Sequence, residues 1–320
     1  MEVTVAGTKD ARQVYYVTEE TLGGVTTVVY HMNNDVDKYL SSSNKGDKGD
    51  GTNTGAASFA QIYPEDNTAF KASLKIILYA DIEVSSFSVN FSINEAARRS
   101  AIVTNLDLNG HSINTNGRAM YLKKGNVVNL MDSSAKQTGV IQGYGGTGNA
   151  GGLFYIVEGS TFNLYGGTIR PSTTGVVAYA GGIFSVYGTL NVYGGIIRDG
   201  KAKGDYDGHN VTITPVTSNK SKVTISGGTI AGGLVFNCYY DTPVLKISGK
   251  PTIDKAQTSA DAAVKPAFSM DMPTYIDIDV TGLTGGKIGV KGVEGDKFAV
   301  NATSGMENYF FSEITTPVCY

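Results

Sequence analysis

The residues whose types and spacing come nearest to catalysis are two aspartates and a histidine in one short segment, Asp205-Tyr-Asp207-Gly-His209. Paired carboxylates would let one protonate a glycosidic oxygen while the other activates water. The Asp-x-Asp-Gly spacing would also suit a hard cation held by oxygen ligands. Because the segment lies in a polar insertion between repeats, we interpret it as a solvated turn. Asp205, Asp207 and His209 are the catalytic candidates by residue type alone.

The other chemistry-bearing residues do not have the spacing of a known site. There is no Gly-x-Ser-x-Gly elbow and no cysteine with a suitably placed histidine to activate it. The three histidines and the two cysteines, Cys238 and Cys319, are too widely spaced for a zinc motif, and whether the cysteines pair stays open. The glycine-rich stretch 143–152 lacks the Lys-Ser/Thr of a phosphate loop. We therefore predict no metal and no cofactor.

A second candidate site would bind rather than catalyse. In the phrases Phe-Asn-Leu-Tyr and Leu-Asn-Val-Tyr that end at Tyr165 and Tyr193, apolar residues occupy every second position. The tyrosines should therefore point outward on neighbouring strands about 4.8 Å apart, with Arg170 and Arg198 aligned at the next corner. Aromatic faces and arginine donors suit sugar rings, so we predict that these four residues bind a glycan or receptor. The alternative is that identical side chains stack only to stabilise the sheet.

These tyrosines belong to a sequence motif that occurs three times. It reads Gly-Ser-Thr-Phe-Asn-Leu-Tyr-Gly-Gly-Thr-Ile-Arg at 159–170, Gly-Thr-Leu-Asn-Val-Tyr-Gly-Gly-Ile-Ile-Arg at 188–198 and Lys-Val-Thr-Ile-Ser-Gly-Gly-Thr-Ile at 222–230. Repeats at a short period indicate a solenoid in which one unit stacks on the next. The alternation predicts a strand. The Gly-Gly pair predicts a corner, because glycine adopts a positive φ without steric cost.

Degenerate copies of the motif extend the repeat along the chain. Matching outward positions are predicted at residues 107, 129, 163, 191, 224 and 246, at intervals of 22, 34, 28, 33 and 22 residues. The shortest interval fits three short strands and three turns, so the longer ones add loops at a corner. The inward residues should then stack in register along one core wall: Phe162, Leu164, Leu190, Val192, Val223 and Ile225.

Two further phrases make a resemblance specific. Leu106-Asp-Leu-Asn-Gly-His-Ser-Ile113 and Gly125-Asn-Val-Val-Asn-Leu-Met-Asp-Ser-Ser134 precede the Gly-Gly-Thr-Ile phrases. Together they resemble the pectin-lyase-like superfamily, above all the Gly-Gly-Thr-Ile repeat proteins of bacterial surfaces and phage appendages. The resemblance covers roughly residues 70–295 and implies an all-β, right-handed parallel β-helix. The superfamily includes polysaccharide lyases and hydrolases, but the Gly-His-Gly and Arg-Ile-Lys of its hydrolases do not follow here.

Composition shifts divide the chain into three parts. Residues 1–45 are predicted to form a small N-terminal adaptor module with two strands, and residues 46–55 a Gly-rich linker. Residues 56–320 are predicted to form the β-helix with a cap at each end. A short helix over 56–63 would cover the first coil, and a last strand near 308–311 would close the second end.

Charge and hydropathy exclude several classes of function. Charged residues are only 17% of the chain and the net charge is −3, so no basic surface indicates a nucleic-acid partner. The sequence contains no run of about 18 apolar residues, so no membrane span is predicted. The first ten residues have neither the basic head nor the apolar stretch of a signal peptide.

We interpret the chain as a non-enzymatic structural and recognition protein. The favoured context is a phage virion appendage (fibre, spike or capsid decoration) at the virion surface. It would bind a host glycan or receptor, and other virion proteins through residues 1–45. The alternative is a bacterial cell-surface or secreted adhesin, extracellular, with other cell-surface proteins as partners; a polysaccharide lyase or hydrolase is less well supported. A homotrimer is the default for a fibre, although the chain has no coiled-coil heptads.

Overall fold

The structure, a computed structural model, describes seventeen segments of the chain. They are residues 14–22, 25–32, 57–58, 73–78, 81–83, 89–91, 102–115, 120–122, 124–143, 153–171, 183–199, 211–213, 221–231, 234–236, 244–257, 278–291 and 299–312. The strands in chain order are β1 (Val14–Leu22), β2 (Val25–Met32), β3 (Ala57–Ser58), β4 (Ser73–Leu78), β5 (Ile82–Glu83), β6 (Val89–Phe91), β7 (Ile102–Asp107), β8 (Ser112–Asn114), β9 (Met120–Leu122), β10 (Asn126–Met131), β11 (Val140–Gly143), β12 (Phe154–Ile156), β13 (Thr161–Leu164), β14 (Thr168–Pro171), β15 (Phe184–Val186), β16 (Thr189–Val192), β17 (Ile196–Arg198), β18 (Val211–Ile213), β19 (Lys222–Ile225), β20 (Thr229–Ala231), β21 (Leu234–Phe236), β22 (Val244–Ile247), β23 (Thr252–Gln257), β24 (Ile278–Asp279), β25 (Lys287–Lys291), β26 (Ala299–Val300) and β27 (Phe310–Ser312). A 3-10 helix spans Met306–Tyr309.

The strands stack in three parallel ladders, and from β4 to β21 each coil of the chain gives one strand to each ladder. The first ladder runs β4-β7-β10-β13-β16-β19-β22-β24-β26, the second β5-β8-β11-β14-β17-β20-β23-β25-β27 and the third β3-β6-β9-β12-β15-β18-β21-β23. The second and third ladders meet in β23, which pairs with β20 at its start and with β21 at its end. The predicted all-β parallel β-helix is confirmed.

The core is a column of inward side chains that repeats from coil to coil. Phe162 pairs with Leu190 and then Val223 in one row, and Leu164 pairs with Val192 and then Ile225 in the next. All six are at most 1% exposed, so the predicted core wall is confirmed. Burying a side chain of this kind stabilises the fold by about 1.5–3 kcal/mol. Each coil is therefore held by its neighbours rather than by itself.

The outward register is confirmed at four of the predicted steps and wrong at one. Positions 129, 163, 191, 224 and 246 face one another in sequence. Asn129, however, lies opposite Asn105, whereas Asp107 lies opposite Met131. A shift of two residues preserves the alternation of inward and outward side chains, so alternation alone could not distinguish the two registers.

The predicted corners lie at the Gly-Gly pairs. Gly167, Gly195 and Gly228 have φ values of 81°, 74° and 74°, which confirms a left-handed residue in each pair. Space is also limiting, since a Cβ on Gly195 would lie 2.7 Å from the carbonyl oxygen of Gly167. Glycine is thus required both by the backbone conformation and by the close approach of successive coils.

The two ends of the solenoid differ from the predictions in part. The antiparallel hairpin of β1 and β2 joins the first ladder, because β2 pairs in parallel with β4. The division of the chain at residues 45 and 55 stays a prediction. The predicted helix over 56–63 is wrong at Ala57–Ser58, which form β3, because pairing with β6 overrides local helix propensity. At the other end, β27 begins at Phe310 and pairs with β25.

No helix within the described segments has the length and apolarity needed to cross a membrane.

Candidate functional site

An exposed aromatic pair marks one corner of the solenoid. Tyr165 and Tyr193 directly follow β13 and β16 and point outward, with 48% and 45% of their surface exposed. Their ring centroids are 4.9 Å apart and their planes differ by 15°. Among the described residues, Ile196 is the other large apolar side chain with comparable exposure, and it lies across the same Gly-Gly corner. The predicted aromatic row is therefore present, with both rings half open to solvent.

Burial and the neighbouring Tyr193 raise the pKa of Tyr165 above its ordinary value. Its hydroxyl is therefore protonated at neutral pH and able to donate a hydrogen bond. The backbone holds the pair firmly, since the Tyr165 N–H donates to Leu130 O and the Tyr193 N–H to Leu164 O, each at 2.8 Å. The backbone at both tyrosines is therefore fixed to the preceding coil.

A row of asparagine amides runs beside the tyrosine pair on the same outward face. Three hydrogen bonds connect it: Asn129 Nδ2 to Asn105 Oδ1 at 2.8 Å, Asn163 Nδ2 to Asn129 Oδ1 at 2.7 Å and Asn191 Nδ2 to Asn163 Oδ1 at 2.8 Å. We call these four residues the amide row. The sequence predicted that Asn163 and Asn191 point outward, but not that their amides bond to each other along the axis.

The two arginines occupy equivalent positions one coil apart but make different contacts. Arg170 Nη2 donates to Gln142 Oε1 at 3.0 Å, and Gln142 is its register partner in the preceding coil. Its Nε is buried without a hydrogen-bond partner. Arg198 instead lies 3.7 Å from Asp199 through its Nε, and its side chain is 44% exposed. Arg198 is thus the more accessible of the two.

A second row of tyrosines, whose rings are tilted rather than stacked, lies along the third ladder and was not predicted. Tyr155 lies between Tyr121 and Tyr187, with centroid distances of 5.2 Å and 4.9 Å. Burial, a hydrogen bond to Tyr187 and the neighbouring phenols raise the pKa of Tyr155. Tyr121 and Tyr155 are separated by the same interval as Asn129 and Asn163, and this shared interval is the sequence signal that could have revealed them.

The carboxylate of Asp132, at the corner after β10, accepts hydrogen bonds from the backbone. Asp132 Oδ1 accepts from the N–H groups of Gly110 and Ser134 at 2.8 and 3.1 Å, and its Oδ2 accepts from Gly139 at 2.6 Å. Burial raises the pKa of Asp132, but the hydrogen bonds from Ser134, Gly139 and Gly110 outweigh burial and hold the pKa below its ordinary value. Asp132 is therefore a charged structural acceptor rather than a proton donor.

The predicted catalytic candidates Asp205, Asp207 and His209 lie outside the described residues. Within the described segments, no group of three or more His, Cys, Asp or Glu side chains is placed to hold a metal ion. His111 lies 3.6 Å from Asp81 through its Nδ1, at an exposed turn. The tyrosine pair with its amide row is the strongest candidate site of the described chain.

No protein-family model, curated protein or solved structure matches this chain. The parallel β-solenoid is established by the register of its strands.

Proposed function

We propose that this chain is a non-enzymatic recognition protein whose β-helix presents a glycan-binding wall. The observation that carries the proposal is the exposure of Tyr165 and Tyr193 as a stacked pair beside a corner of the solenoid. A tyrosine offers an apolar ring to the C–H face of a sugar and a hydroxyl to its polar edge. Two exposed rings leave apolar surface in water and so lose the stabilisation that burial would give. An inward residue or a polar residue at these positions would avoid that loss.

The neighbours of the tyrosine pair support a sugar rather than an apolar partner. The amide row lies two residues before the tyrosines on both strands, so amide groups border the rings. The exposed guanidinium of Arg198 lies beyond the corner and supplies directional donors to hydroxyls or carboxylates. Arg170 contributes less, because its Nη2 is engaged by Gln142.

The resemblance to Gly-Gly-Thr-Ile repeat proteins of the pectin-lyase-like superfamily supports a place at a surface. We favour a phage virion appendage that binds a host glycan or receptor, attached to other virion proteins through residues 1–45 and assembled as a homotrimer. A bacterial cell-surface or secreted adhesin is the alternative. Mass spectrometry of purified virions and of cell envelopes distinguishes the two locations.

The test is a glycan array with the intact chain and two double variants. Tyr165→Ala with Tyr193→Ala removes both rings and should abolish glycan or cell binding, while the thermal transition stays within a few degrees. The matched control, Tyr165→Phe with Tyr193→Phe, keeps both rings and should retain most of the binding. If the alanine variant binds like the wild type, the pair only stabilises the sheet. If the wild type binds no glycan and no cell, the proposed function is wrong.

A further inference from the structure

The tyrosine pair leaves one face of each ring uncovered. Coplanar rings lying side by side cannot bring their centroids to 4.9 Å, because the hydrogen atoms on their edges would collide. The near-parallel rings of Tyr165 and Tyr193 must therefore overlap by their faces. Each ring thus covers one face of the other, and each retains one outer face along the solenoid axis. A sugar that stacks on this pair has only those two outer faces to use.

The strand register identifies what lies next to each outer face. Leu130 pairs with Leu164, so Met131 precedes Tyr165 in the same outward column. Val192 pairs with Ile225, and Ile225 with Ile247, so Ser226 and then Ser248 follow Tyr193. Backbone hydrogen bonds continue the coil through both serines, from Ser226 N–H to Val192 O at 2.8 Å and from Ser248 N–H to Ile225 O at 2.9 Å.

The two outer faces are therefore unequal. The long side chain of Met131 adjoins Tyr165, whereas serines, whose side chains end at the γ oxygen, adjoin Tyr193 for two successive coils. Two coils span roughly 10 Å along the axis, which leaves a recess beside the outer face of Tyr193. We call this recess, floored by Ser226 and Ser248, the serine step.

Polar groups border the serine step, and they include one pair of opposite charges on neighbouring strands. Thr224 continues the line of the amide row after Asn191, and Lys246 follows Thr224. Asp279 lies opposite Lys246 on the next strand, and the positive charge of Lys246 adds a minor contribution to the lowered pKa of Asp279. A recess with one aromatic wall, a hydroxyl floor and a balanced pair of charges is complementary to a neutral, hydroxylated ring.

We propose that the outer face of Tyr193 is the seat of a single neutral hexopyranose unit, whose C–H face stacks on the ring while its hydroxyls lie over the serine step. The proposal rests on the glycan-binding function proposed above. It assigns the specificity-determining contact to Tyr193 and Ser226. Because only one aromatic face opens onto the step, the seat recognises one terminal or branching sugar unit rather than a run of units.

The proposal predicts unequal effects at the two tyrosines. Tyr193→Ala removes the seat and should weaken binding by about tenfold or more. Tyr165→Ala leaves the outer face of Tyr193 in place and should change the affinity much less. Ser226→Leu places an aliphatic side chain against that face and should abolish binding, whereas Ser226→Ala keeps the recess, loses one hydroxyl contact and should weaken binding far less.

Saturation-transfer NMR with methyl β-glucopyranoside, methyl β-galactopyranoside and sialyllactose as probes measures these effects on the intact chain, and circular dichroism checks each variant's fold. If the wild type binds a neutral glycan but Ser226→Leu, still folded, binds equally well, the seat is wrong while the proposed function stands. Equal losses in Tyr165→Ala and Tyr193→Ala also overturn the seat. A wild type that binds only the charged probe overturns the neutral sugar class. If the wild type binds no glycan at all, the proposed function itself fails.

Discussion

Asn163 donates a hydrogen bond of 2.7 Å from its Nδ2 to Oδ1 of Asn129, which lies 34 residues earlier in the chain. The same bond recurs between Asn191 and Asn163 at 2.8 Å. The two middle amides of the row, Asn129 and Asn163, thus each donate to the preceding coil and accept from the following one, so the bonds polarise one another. A slip of one residue between coils would break the whole row at once. The amide row therefore fixes the register of the wall that presents the tyrosine pair.

Asn163→Ala should destabilise the solenoid by about 1–3 kcal/mol, because it removes two net hydrogen bonds from the row. Thr161→Ala is the matched control, since Thr161 occupies the same strand and the same outward face but takes no part in the amide row. Urea denaturation followed by circular dichroism measures both. Equal losses in the two variants would mean that the amide bonds add nothing beyond strand propensity.

The core and the corners could be predicted from the sequence because each rests on a local pattern. Alternation within a single strand identifies Leu164 and Val192 as buried. Gly195 is identified as a corner residue because only glycine readily adopts the left-handed conformation. These rules need no knowledge of the partner strand. The tyrosine pair followed for the same reason, since its outward direction is fixed once Leu164 and Val192 point inward.

The remaining contacts could not be predicted because they depend on the register between distant strands. The match of Asn129 to Asn105 rather than Asp107 is a choice between two patterns with identical alternation. Tyr187 joins the second tyrosine row although Ser185 is the register partner of Tyr155, so a strict repeat does not predict it. The strand at Ala57–Ser58 arises from pairing with β6, which local propensity does not encode.

Asp132→Ala should cost about 3 kcal/mol or more, because three backbone N–H groups lose a charged acceptor. Asp132→Asn keeps the shape but places an amide group near at least one of these donors, so it should recover only part of the loss. Hydrogen exchange should accelerate at Gly110, Ser134 and Gly139 in both variants. Unchanged exchange at Gly139 would contradict a structural role for the carboxylate.

Gly195→Ala and Gly125→Ala separate two costs at a positive φ. Both glycines are left-handed, at 74° and 86°, so each alanine should lose about 1–2 kcal/mol from backbone conformation alone. A Cβ at Gly125 meets nothing within 4 Å, whereas a Cβ at Gly195 would lie 2.7 Å from Gly167 O. Gly195→Ala should therefore be clearly the more destabilising in thermal denaturation. Equal costs would show that the coils separate easily at this corner.

Asp279 should titrate well below an ordinary aspartate. Its Oδ1 accepts hydrogen bonds from Thr281 Oγ1 at 2.7 Å, Thr281 N–H at 3.0 Å and Asn301 Nδ2 at 3.1 Å. The Thr281 hydroxyl, the Asn301 amide and the Thr281 N–H hold the pKa of Asp279 at about 2, below the ordinary value of 3.8. Because the folded pKa is depressed, the stability that this carboxylate contributes is complete above pH 3.8 and is lost as the pH falls toward 2.

Carbon-13 NMR of the side-chain carboxyl measures the Asp279 titration directly in the folded chain. Asn301→Ala removes one donor and should shift the Asp279 midpoint upward, while Ala302→Gly, at an exposed neighbouring position, should leave it unchanged. Asp279→Asn should lower the unfolding temperature at pH 7, where the wild-type carboxylate is charged. The difference from wild type should narrow as the pH approaches 2, because the wild-type carboxyl is then protonated as well. A wild-type midpoint at or above 3.8 would mean that the three donors do not hold the last coils together through this carboxylate.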